Sequence, residues 1–159
     1  GDYQPKESKP LPQDYFPPDH HLVKVGDLLF SRANTVELIG ATTFVFSTPP
    51  NHALPDKIWK FKWLDPSPVD PLFLWSLFQT TSVRKEIGRR ATGTGGSMKN
   101  ISQEKVLSLP LYQPPLDLQR KYALILRQQK TLQAKYLQGL TEYKNLLLSL
   151  QQRAFLGDL

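Results

Sequence analysis

The chain has 159 residues, 20 Lys and Arg against 14 Asp and Glu, a net charge of +6 and no cysteine. Leu, Ile, Val and Phe supply 46 residues, above the level at which disorder is the default, so one ordinary domain with an appendage is expected. Disulfides, thiol catalysis and thiolate metal sites are excluded, no apolar run approaches the ~18 residues of a membrane span, and no basic-then-apolar leader opens the chain, so a soluble, cytoplasmic protein is expected.

Composition divides the chain. All 14 prolines lie at or before Pro115, whereas the remaining 44 residues hold 7 of the 12 glutamines. Prolines interrupt helices and central strands, so an irregular, strand-containing part should precede one long helix, with the boundary at Pro114-Pro115. Net charge is +2 over residues 1–116 and +4 over 117–159, so neither part is histone-like in basicity.

The opening 21 residues, with five prolines, read as extended coil. Leu22–Val25 and Leu28–Arg32 are strand candidates around the Gly26-Asp27 turn, and Val36–Ile39 and Ala41–Ser47 are two more about Gly40. Lys57–Leu64 is the clearest strand: Trp59, Phe61 and Trp63 fall on one face, with Ile58, Lys60, Lys62 and Leu64 on the other. Large rings at period two predict a buried sheet face; stacking on unpaired bases is the alternative. Asp70-Pro71 predicts a helix start, with Leu72, Leu74, Trp75, Leu77 and Phe78 as its apolar surface. A second short helix is expected over Ser82–Arg90. Together these elements indicate an α+β domain with a small mixed or antiparallel sheet.

The densest charge is Arg84, Lys85, Arg89 and Arg90, opposed by Glu86 alone and followed by the polar stretch from Thr92 to Asn100 with its three glycines. Glycines permit close backbone approach to a surface, while hydroxyls, amides and ammonium groups bind phosphates or base edges. A solvated helix face with a flexible loop is the bland account of the same residues. The loop lacks the GK[ST] ending of a nucleotide cradle and the spacing of a dinucleotide fingerprint. His20, His21 and His52 have no metal-ligand spacing, no nucleophile-elbow motif is present, and neither Pro18-Asp19 nor Pro55-Asp56 is followed by a nuclease-like Glu-x-Lys. Catalysis, a metal and a cofactor in this chain are therefore not expected.

After Pro115 the seam Leu118, Tyr122, Ile125, Gln129, Leu132, Tyr136, Leu140, Tyr143, Leu147, Leu150 and Ala154 steps alternately by four and three. One doubled step of four, Tyr136 to Leu140, is a stutter that relaxes a supercoil, and Gly139 within it weakens the helix by about 1 kcal/mol relative to Ala. A rod of roughly 60 Å, at ~1.5 Å per residue, is too long to be covered by so small a domain. Its seam predicts a coiled coil with a second copy or with another helix of the same polypeptide.

Val25-Gly26-Asp27-Leu28-Leu29-Phe30-Ser31-Arg32, the loop ending Met98-Lys99-Asn100-Ile101-Ser102, and Leu109-Pro110-Leu111 through Pro114-Pro115-Leu116 before a long helix carry a likeness in their order and spacing. From about residue 22 onward the chain resembles the specificity subunits of type I restriction-modification systems. Leu118 stands where that family often has Glu before Gln119. The resemblance implies that residues 1–116 are part of a DNA target-recognition domain that lacks its beginning, and that 117–159 are the helix that spaces two such domains and docks modification subunits. It also implies a fragment or half-subunit, non-catalytic itself, with methylation and cleavage belonging to methyltransferase and restriction subunits. On that reading Arg84, Lys85, Arg89, Arg90 and Lys99 hold double-stranded DNA by its phosphates, and Arg32, Asn34, Thr94, Ser97 and Asn100 face base edges. A protein-interaction module dimerising through its coiled coil is the second reading, and a metal-dependent nuclease the third.

Overall fold

The computed structural model describes residues 3–93 and 98–157, so Thr94 and Ser97 lie outside the described residues. The chain forms two compact units, Gly1–Gln119 and Arg120–Leu159. The first is α+β with small antiparallel sheets, and the second continues a long helix. Among the described residues no helix is long and apolar enough to cross a membrane.

The central sheet has the order β3-β1-β4, from β1 (Leu28–Ser31), β3 (Thr42–Phe44) and β4 (Ile58–Lys60), with both pairings antiparallel. A separate two-stranded ladder joins β2 (Ala33–Asn34) to β5 (Lys99–Asn100). Alternation along β1 separates two cores. Phe30 enters a cluster with Ile39, Phe78, Val83, Ile87, Ile101, Val106 and Leu109, whereas Leu29 packs with Val23 and Val45 on the other side.

The aromatic row behaves as sheet core. Trp59 and Phe61 pack against the larger cluster, with Trp59 stacked on Phe30 and Trp63 stacked on Phe61 at 5.8 Å between centroids. On the opposite face, Ile58 joins the smaller cluster and the Lys60 ammonium pairs with Asp27 at 3.2 Å. The strand itself is shorter than its sequence pattern. Phe61 N–H donates to the Leu28 carbonyl, and beyond Leu28 the partner chain turns at Lys24–Asp27, so residues 61–64 have no ladder to join.

Two expected strands are absent. Val36–Ile39 is a turn: the Thr35 carbonyl accepts from the N–H groups of Leu38 and Ile39, and Gly40 follows at φ 69°. Within that turn Ile39 alone reaches the core. Leu22–Val25 contributes only an isolated bridge, Leu22 to Ala53, before the turn takes over.

Helix α1 (Pro71–Gln79) starts where its signal predicts. Asp70 caps it by accepting from the N–H groups of Leu72 and Phe73, and Leu72, Trp75 and Phe78 are buried. Helix α2 (Thr81–Arg90) follows, capped by Thr80, and buries Val83 and Ile87. At Gly40 an added Cβ would collide with Ile87, so a positive φ and a close helix approach both require glycine there. A short helix, α3 (Gln103–Leu107), is capped by Ser102 and buries Val106. The last element, α4 (Leu116–Leu156), opens directly after Pro114-Pro115 and runs 41 residues.

Candidate nucleic-acid interface

The β2–β5 ladder gathers residues that are far apart in sequence. Ala33 pairs with Asn100 and Asn34 with Lys99, and the Ile101 N–H closes the ladder on the Arg32 carbonyl. Thr92 bridges Asn100 on its other side, exchanging hydrogen bonds of 2.8 Å in both directions. The ladder therefore sets the backbones of Arg32, Asn34, Lys99 and Asn100 side by side, close to Gly93. Gly93, at φ 147°, leads into that loop, and a Cβ there would strike the Met98 carbonyl.

Each of these side chains is held differently. Arg32 lies over the Trp59 ring at 5.8 Å, and its Nε donates to the Asp56 carbonyl at 2.8 Å, leaving both terminal guanidinium nitrogens without a described partner. Asn34 Nδ2 donates to the buried Ser31 hydroxyl at 3.1 Å, and its Oδ1 accepts from the Thr35 N–H at 2.9 Å. Lys99 Nζ donates to the Gly93 carbonyl at 3.0 Å, a bond that spends one of its three donors. The Asn100 side chain is exposed and its amide makes no hydrogen bond to another described residue.

Next to the ladder lies a cavity of about 290 Å³, lined by Ser31, Ala33, Asn34, Thr35, Pro55, Lys57, Ile58 and Met98. Lys57 adds an exposed cation whose ammonium has no partner among the described residues. Sequence reasoning passed over Lys57 because it lies in the aromatic strand region, away from any basic run; its position beside Asn34 comes from the pairing of β1 with β4.

The basic run on α2 is divided by its surroundings. Arg84 reaches back across the fold: Nη1 donates to the Ile39 carbonyl at 2.7 Å and Nη2 to the Glu37 carbonyl at 2.8 Å. Burial lowers its pKa from the usual arginine value. Arg90 Nε donates to Glu86, and its Nη1 donates to the carbonyls of Lys105 and Ser108 and to the Ser108 hydroxyl. Arg89 forms a two-point pair with the same Glu86 carboxylate, at 2.9 and 2.7 Å. Hydrogen bonds from Arg89 and then Arg90 lower the Glu86 pKa to about 2. Lys85 is exposed and makes no ion pair with another described residue. Arg84 and Arg90 are thus engaged with the fold, Arg89 is neutralised locally, and Lys85 remains available to an external anion.

The long helix presents its heptad face to solvent. Leu118, Tyr122, Ile125, Leu132, Tyr136, Leu140, Tyr143, Leu147 and Leu150 are 39–71% exposed in this chain. Among the described residues no three His, Asp or Glu side chains gather as a metal site.

No family model matches the chain. Over 120 residues, 76% of its length, it is 27% identical to the type I restriction enzyme EcoEI specificity subunit of Escherichia coli, of which it spans 20%. That likeness supports the specificity-subunit family that the ordered motifs resemble.

Proposed function

We propose that this chain reads a short double-stranded DNA sequence as the non-catalytic specificity component of a type I restriction-modification assembly. The supporting observation is the β2–β5 ladder, which brings the backbone of Arg32 and Asn34 to that of Lys99 and Asn100, in a chain similar to a specificity subunit. Phosphate contacts fall to Lys57, Lys85 and Lys99, whose ammonium groups have donors without a partner among the described residues, and base contacts to Arg32, Asn34 and Asn100. Thr94 and Ser97 belong to the same reading through their place in the loop.

On this reading residues 1–116 are part of a recognition domain, and the helix of 117–159 spaces two readers and docks modification (methyltransferase) subunits, and through them the restriction subunit, in the cytoplasm. Methyl transfer and cleavage are then partner chemistry, and the chain carries no cofactor of its own. The exposed seam of α4 pairs with a second copy or with another helix of a longer subunit, because so much apolar surface on a single helix gains free energy when it is buried. That seam also favours the second reading, a protein-interaction module without DNA binding.

Duplex binding as a function of salt separates the two. A DNA reader binds random duplex with an affinity that falls steeply as salt rises, and prefers particular sequences within a randomised pool. A pure interaction module shows neither property, and its dimer is indifferent to DNA.

A further inference from the structure

Asn34 is the side chain at the ladder whose free hydrogen-bonding groups are most narrowly defined. The Thr35 N–H can only donate, so the atom facing it must be the amide oxygen. The nitrogen then faces the Ser31 hydroxyl. A flipped amide would set its two N–H donors against the donor of Thr35. After these two bonds the amide has one N–H and one oxygen lone pair without a partner among the described residues.

Its support is rigid. Ser31 is 5% exposed and belongs to the central sheet, where it pairs with Ile58, donates its N–H to Ala41 and accepts from Gly40. The amide is therefore oriented before any ligand arrives, and little rotamer freedom is lost on binding. Asn34 also lines the cavity beside the ladder, with Lys57 and Met98, so its free groups border a concave surface that carries a cation.

One donor and one acceptor on a planar amide match the major-groove edge of adenine, where N6–H donates and N7 accepts. Guanine presents two acceptors there and cytosine a donor, so neither satisfies both groups. We propose that Asn34 reads an adenine of the target through N6 and N7, with Ser31 as a positioning residue that acts through Asn34. This rests on the DNA-reading function above and specifies one base for it.

The test begins with selection of randomised duplexes by the full-length chain, followed by binding measurements on the selected duplex. Each adenine is replaced in turn by 7-deazaadenine, which lacks the N7 acceptor. One replacement should weaken wild-type binding roughly 2- to 10-fold, the span of one lost hydrogen bond of the pair. The same replacement should cost Asn34→Ala nothing further. Ser31→Ala should lose discrimination at that base pair and at no other, which general loosening of the sheet would not produce. Asn34→Asp keeps the acceptor for the Thr35 N–H and provides a variant whose local turn is preserved. Its preference at this position should move from adenine toward cytosine, which offers a donor.

If wild type selects a sequence but Asn34→Ala and Asn34→Asp keep every base preference, the adenine assignment is overturned and DNA reading survives. If wild type selects no sequence at any salt concentration, the DNA-reading function itself fails, and the assignment with it.

Discussion

The backbone N–H of Asp70 donates to Gln119 Oε1 at 2.9 Å, joining the first residue before α1 to the first turn of α4. Gln119 is fully buried, and its Nε2 donates to the Pro114 carbonyl at 2.7 Å. Asp70 is at the same time the cap of α1, accepting from Leu72 and Phe73. One glutamine thus ties the proline boundary to the helix start that precedes it by 49 positions. Gln119→Leu should destabilise the first unit by about 1–3 kcal/mol, because it leaves the part-buried Asp70 N–H and Pro114 carbonyl without their amide partner. Urea denaturation followed by tryptophan fluorescence measures this directly, and an unchanged midpoint would show that water replaces the amide without cost.

Arg84 and Lys85 should separate cleanly, although they are neighbours. Arg84→Met removes two bonds to the carbonyls of Glu37 and Ile39 and should cost about 1.5–3 kcal/mol per lost charge-assisted bond at most, read as a lower denaturation midpoint. Lys85→Gln should leave that midpoint unchanged. Equal effects of the two substitutions on stability would contradict the division of the cluster.

The salt dependence of DNA binding checks the phosphate assignments. Replacing Lys57, Lys85 and Lys99 together by Gln should reduce the slope of log K against log[salt] by about 2–3, at ~0.9 per phosphate contact. Arg90→Gln should lower stability through its lost bonds to Lys105 and Ser108, with the slope maintained in the fraction that folds. A triple variant with wild-type slope would move the phosphate-binding surface elsewhere.

Glu86 predicts an acid-side effect on stability. Its folded pKa, about 2, lies below the ordinary 4.5 because Arg89 and Arg90 hydrogen-bond the ionised form. A depressed carboxylate pKa gives stabilisation that is complete above the unfolded value and fades as pH falls from about 4.5 toward 2. The difference in urea midpoint between wild type and Glu86→Gln should therefore be greatest above pH 5 and close by pH 2. A difference that persists at pH 2 would mean that charge is not its source.

The helix seam yields two opposite expectations. Leu132→Lys with Leu147→Lys should convert a dimer to a monomer in light scattering, by placing charge in a seam that association would bury. Gly139→Ala should raise helix stability by about 1 kcal/mol, since its Cβ would meet nothing within 4 Å. A wild-type chain that is monomeric at tens of micromolar would remove the case for self-association, though not the gain at Gly139.

Local signals were legible without a structure. Asp70-Pro71 marked the start of α1 because a cap and a proline-compatible first turn are properties of adjacent residues. Pro114-Pro115 marked the start of α4 because two prolines interrupt any helix running through them, and the absence of proline thereafter permitted its full length. The alternation of Ile58, Trp59, Lys60 and Phe61 was equally readable, since a strand sends successive side chains to opposite faces wherever it lies. The same residues could not show where β4 ends, because that depends on the length of its partner β1.

What only the tertiary structure decided was which groups meet across long separations. Asn34 and Lys99 are adjacent through a ladder between segments 65 positions apart, and no local pattern encodes that pairing. Arg84 and Lys85 carry the same charge in the sequence, yet the carbonyls of Glu37 and Ile39 engage one and leave the other free. Gln119 read as an ordinary polar residue of the first turn, but the Asp70 N–H and the Pro114 carbonyl make it a buried connector. Sequence determined where elements begin, because caps, prolines and periodicity act over a few residues; the availability of each polar group was decided by partners that folding alone brings within hydrogen-bond distance.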